Sequence, residues 1–166
     1  MKTLIIAILL LTAMEKADAQ TAAAWNLNAG LMATTTAAGI GTGGVTLGKS
    51  FLQFAMFPAS GYYLALDSVM LTIRQDSKRM HGSGPLHWSL RSSLDGYTGD
   101  LMTGTLTSSD QLITVALPTA FRTNTGAICF RVYSNDQETS SGGNNQLVFD
   151  TISVAGAATT GAIAAR

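Results

Sequence analysis

The sequence predicts an all-β chain: a two-sheet antiparallel β-sandwich preceded by a signal peptide. Three observations carry that reading. Past residue 20, no window repeats apolar residues at helical spacing. Short alternating runs recur instead, separated by Gly, Asn, Asp, Ser and Pro. The length of 166 residues is enough for one domain with a core of its own.

The elements follow in order. "MKTLIIAILLLTAMEKADAQ" has a charged start at Lys2, an apolar run from Leu4 to Met14, and Ala17-Asp18-Ala19 before Gln20. Those are the parts of a secretory signal peptide, so residues 1–19 are expected to be cleaved. The apolar run is shorter than the roughly 20 residues a membrane-crossing helix needs. The mature chain is therefore expected to have no membrane span and to be secreted or held at the cell surface. "AAWNLN" is the first strand. Residues 29–50, rich in Ala, Thr and Gly, read as a long loop with at most a brief strand. "FLQFAMF" is a strand ended by Pro58. In "LALDSVMLTIRQD", Val69, Leu71 and Ile73 share one face and Met70, Thr72 and Arg74 the other.

"GPLHWSLRSSLDGY" is the densest segment. Trp88, Leu90 and Ser92 share one face of a strand, and His87, Ser89 and Arg91 the opposite one. Asp95-Gly96 is a turn signal. Trp88 is assigned to the interior, because a large apolar ring is usually buried in a two-layer fold. "QLITVALP" is a strand stopped by Pro118. "GAICFRVYS" sets Ile128, Phe130 and Val132 against Cys129, Arg131 and Tyr133. "NDQETSSGGNN" reads as a polar loop and "NQLVFDTISVAG" as the last strand. The sandwich is thus expected over 20–156, with 157–166 as a flexible tail or linker.

Charge restricts the partners. Ten basic and ten acidic residues balance, and the leader removes two of each sign. A neutral chain lacks the basic footprint of a nucleic-acid binder. Cys129 is the only cysteine, so no internal disulfide forms, and its strand pattern marks it as a buried structural thiol.

The dense segment also carries a resemblance. "LTIRQDSKRMHGSGPLHWSLRSSLDGY", then "CFRVYS" and "LVFDTISVAG", resemble a domain of exported bacterial proteins, often ones bearing sorting signals of the PEP-CTERM type. The matching positions are Arg74, Gly84, Pro85, Trp88, Arg91, Ser92, Ser93, Asp95, Gly96, Phe130, Arg131, Tyr133, Asp150 and Gly156, with "WNLN" near the mature start. The sequence departs from the pattern in having no Pro-Glu-Pro sorting signal, which leaves the mode of anchoring open. Such domains are similar to jelly-roll sandwiches of the carbohydrate-binding kind. The resemblance therefore implies a jelly roll and no assigned activity.

Catalytic motifs are weak. "GIGTGG" satisfies G-x-G-x-x-G at Gly39, Gly41 and Gly44, but no helix pattern follows to hold a phosphate. Ser, His and Asp crowd residues 87–95 on diverging strand positions, whereas a triad needs convergence. Asp95 and Asp100 match no defined calcium loop. The expectation is a non-catalytic recognition or adhesion module without cofactor or metal. Its ligand-binding groups would be Arg74, His87, Arg91, Tyr97 and Arg131, because guanidinium forks on one outer face suit a glycan or cell-surface polymer. Against that stands pairing of each Arg with Asp76, Asp95 or Asp150, which would only tie down the sheet. The alternative function is a self-associating structural subunit of a matrix, envelope layer or filament.

Overall fold

A computed structural model describes residues 21–27, 33–47, 51–75, 86–134 and 147–160. Two antiparallel sheets pack face to face. The strands are β1 (Thr21–Asn26), β2 (Ala33–Thr36), β3 (Ile40–Thr42), β4 (Thr46–Leu47), β5 (Phe51–Pro58), β6 (Tyr62–Gln75), β7 (Leu86–Ser92), β8 (Met102–Leu106), β9 (Gln111–Ala116), β10 (Ile128–Ser134) and β11 (Leu147–Thr160). One sheet has the order β2-β1-β11-β6-β9 and the other β3-β5-β10-β7-β8, with β4 also on β5. From β5 to β11 the chain passes from sheet to sheet at each connection except β7 to β8, so that β1-β11-β6-β9 faces β5-β10-β7-β8. That is the connectivity of a jelly roll.

The alternation places the core. Val69, Leu71 and Ile73 point inward from β6, Leu90 and Trp88 from β7, and Ile128, Phe130 and Val132 from β10, all buried. Phe130 stacks between Phe54 and Phe121, with ring centroids 5.3 Å and 5.7 Å away, and Trp25 meets Phe54 at 5.3 Å. Offset aromatic contacts of this kind add to the area they bury.

Two stretches differ from the sequence expectation. Residues 29–50 hold β2, β3 and β4, and Ile40 and Val45 enter the core. Short strands of small residues show little alternation, which is why they read as loop. The "GIGTGG" match falls on β3 and the chain after it, where the Gly43 carbonyl accepts the Trp25 indole N–H at 3.2 Å. The strand β11 also runs on to Thr160, so Ala157–Thr160 of the expected tail pair with Tyr62–Ala65. A register shift lies between Ala155 and Gly156, where Gly156 has φ 145°. The expected leader, the segment 135–146 expected as a polar loop, and residues 161–166 lie outside the described residues. No helix among the described residues is long and apolar enough to cross a membrane.

Candidate functional site on the outer face of the second sheet

Outward positions of β5, β10 and β7 line up across the sheet. Antiparallel register sets Gln53 opposite Arg131, and Arg131 opposite Arg91. The next row is Phe51, Tyr133, Ser89 and Thr103. Over this face folds the segment between β7 and β8. It starts as a 3-10 turn, Ser93–Asp95, and reverses at Gly96, whose φ of 70° is a left-handed conformation suited to glycine. Tyr97 follows with φ 65°, unusual for a residue with a side chain.

Asp95 secures that strained residue. Its carboxylate accepts the Tyr97 N–H at 3.0 Å and the Gly99 N–H at 2.8 Å, while the Thr98 hydroxyl donates to the Asp95 carbonyl at 2.9 Å. The Gly99 N–H first, and then that of Tyr97, holds the Asp95 carboxyl pKa below its ordinary value. Tyr97 N–H also donates to the Ser92 carbonyl at 2.9 Å. The loop is thereby laid back on its own sheet.

The result is a layered cluster. The Arg131 guanidinium lies 3.8 Å from the Tyr97 ring centroid and 4.4 Å from that of Phe51. Its Nε donates to Gln53 Oε1 at 2.8 Å and its Nη1 to Tyr133 Oη at 3.4 Å. Among the described residues no carboxylate pairs with it. Arg91 differs. Its Nε donates to Asp100 Oδ1, its Nη1 donates to the Tyr97 carbonyl at 3.3 Å, and it stands 5.2 Å over the Tyr133 ring. Burial pushes the Tyr97 phenol above its ordinary value, and the neighbouring Cys129 thiol adds to that rise. Cys129 is half-buried on this outer face, where alternation sets it beside Arg131, rather than fully buried as expected.

Of the five expected ligand groups, Arg91, Arg131 and Tyr97 come together. His87 stands on the same outer face, exposed, with its Nδ1 3.5 Å from Thr105 Oγ1. Arg74 does not join them. Its strand, β6, belongs to the other sheet, where Arg74 pairs with Asp110 at 2.9 Å. One shared face for three arginines is thus corrected to a pair, because a jelly roll sends β6 and β7 to opposite layers. Asp110 meets Arg74 and Asp100 meets Arg91, two pairings the sequence did not suggest. Asp95 serves its own loop, and Asp76 lies outside the described residues. Tyr133 lies there too, on the face alternation gave it beside Arg131, whereas Phe51 and Gln53 were missed as members. Their signal was the β5–β10 register, which no single strand reveals. Among the described residues no three His, Cys, Asp or Glu side chains gather as a metal-binding set.

No protein-family model matches the chain, and no curated protein matches it. Among solved structures, the chain matches the acetyl xylan esterase Est2A from the rumen bacterium Butyrivibrio proteoclasticus at 12% identity and a TM-score of 0.40. The match covers 86% of this chain and 34% of that one, so the chain spans about a third of that protein's length.

Proposed function

We propose that this chain is a non-catalytic, secreted or cell-surface recognition module whose β5-β10-β7 face takes an anionic or polyhydroxylated glycan. The carrying observation is Arg131. Its guanidinium lies against the Tyr97 and Phe51 rings and has no carboxylate among the described residues to satisfy it. A guanidinium fixed in this way keeps N–H donors for planar recognition of a carboxylate or of paired hydroxyls. Tyr97, Tyr133 and Arg91 beside it supply ring faces and a second cation, a mixture that suits sugar rings carrying acidic groups. The chain's neutral balance fits a local patch better than a field spread over the molecule.

The test is a glycan array with wild type, Arg131→Ala, Arg91→Ala and Arg74→Ala. Binding should fall with the first two and persist with Arg74→Ala, which sits on the other sheet. If Arg131→Ala and Arg91→Ala bind as wild type does, the face is not the site.

A second reading, a self-associating structural subunit, is favoured by one feature of the other sheet: the uncharged edge strand β9 with Leu112 exposed.

A further inference from the structure

We infer that β9 is a self-association edge, which pairs antiparallel with β9 of a second copy and joins two five-stranded sheets into one. The inference is independent of the glycan reading. An edge strand presents backbone N–H and C=O groups whose natural complement is another strand, and proteins ordinarily blunt such edges. Three of the four edges here are blunted. The strand β2 is four residues long and shifts register against β1. At the other sheet's near edge, β3 and β4 span three and two residues. On its far edge, β8 carries Gly104 at its centre, which weakens pairing.

The remaining edge, β9, has none of these devices. It runs six residues, Gln111–Ala116, in unbroken register with β6, without charge, proline or glycine. Among the described residues nothing pairs with its far side. Leu112 is 73% exposed on it. Asp110 before it, held by Arg74, and Pro118 after it bracket the length available for pairing.

The occupant follows from symmetry and charge. Residues opposite each other in an antiparallel pair point to the same side of a sheet. A twofold axis at Ile113 therefore sets Leu112 against Thr114 of the second copy, and Gln111 against its Val115, with inward and outward faces kept in register. No like charges meet in that pairing, since Asp110 falls opposite an alanine. A net charge of zero also removes long-range repulsion between copies.

Sedimentation of the purified protein across a concentration range tests this. Wild type should form dimers. Leu112→Lys/Thr114→Lys brings two lysine pairs face to face and should weaken dimerisation on the order of tenfold or more. The matching Leu112→Glu/Thr114→Glu variant should also be monomeric. An equimolar mixture of the two should recover a heterodimer. Both positions are exposed, so folding should survive, as circular dichroism would confirm. A wild type that stays monomeric at the highest concentration overturns the inference. So does a dimer indifferent to the lysines, or a mixture that fails to recombine. Sedimentation of Arg131→Ala should match wild type, which keeps this result separate from the glycan test.

Discussion

Arg131 and Arg91 stand opposite each other on adjacent antiparallel strands, and their charges are met by different means. Asp100 answers Arg91, whereas two ring faces and a glutamine hold Arg131. Two like charges directly across a ladder are normally unfavourable. The arrangement stands because Asp100 offsets one of them. Arg131→Ala should therefore cost about 1–2 kcal/mol, the range of a partly desolvated cation–π contact. For a chain of this size that lowers the melting temperature by about 2–8 °C. Arg91→Ala removes a half-exposed ion pair and should cost about 1 kcal/mol or less. Calorimetry giving the reverse order would show that the rings do not carry Arg131.

Gly104 sets a second prediction. A Cβ there would stand 2.7 Å from Trp88 Nε1 and 3.1 Å from Cε2. That indole nitrogen is buried, with no hydrogen-bond partner among the described residues. Gly104→Ala should cost about 1–3 kcal/mol by overpacking. Trp88→Phe should absorb most of that cost, because the smaller ring leaves room for the methyl. Urea unfolding of both single variants and the double variant gives the coupling. Additive losses would mean that the clash is relieved elsewhere.

Gly156 is more tightly constrained. With φ at 145°, a Cβ would come within 2.4 Å of the Ala65 carbonyl oxygen and 2.8 Å of Leu66 Cα, both backbone atoms. Neither can swing aside as a side chain can. Gly156→Ala should destabilise by about 3 kcal/mol or more, a size reserved for strained backbone and disrupted cores. Retention of wild-type stability would place the bulge elsewhere.

The loop should respond to pH at both ends of the scale. The Asp95 pKa is lowered from its ordinary 3.8 by the Gly99 and Tyr97 N–H groups, so the stabilisation is present above that value and lost as pH falls through the lower one. Tyr97 is raised from 10.0 by burial, so its contribution is present below 10.0 and lost as pH climbs past the higher value. Amide signals of Tyr97 and Gly99 followed by NMR should shift together in acid, and Asp95→Asn should abolish that shift. An unchanged acid titration in that variant would remove Asp95 as the anchor.

Much of the fold was legible because apolar residues alternate cleanly where strands are half-buried. Ile73 and Phe130 were assigned to the interior from periodicity and Trp88 from its large ring on an alternating face, and all three are buried. The strands that escaped, β2, β3 and β4, are two to four residues long and hold Ala, Thr and Gly with one large apolar residue each in β3 and β4, too few to mark two faces. Ala157–Thr160 escaped for the same reason: the long partner β6 supplies the pairing that the small residues do not advertise. The candidate site was half legible. Arg91, Arg131 and Tyr97 could be picked by type and face. That Arg74 leaves the group, and that Phe51 enters it, depends on which layer each strand joins.

The position of β11 has a consequence for how the chain matures. Among the described strands it is the last in sequence and lies between β1, the first, and β6. The N-terminal strand must wait for the C-terminal one before its main ladder can close. Contacts so distant along the chain make folding slow. Deleting residues 147–160 would split the first sheet through its middle, leaving β1 and β6 without a common neighbour.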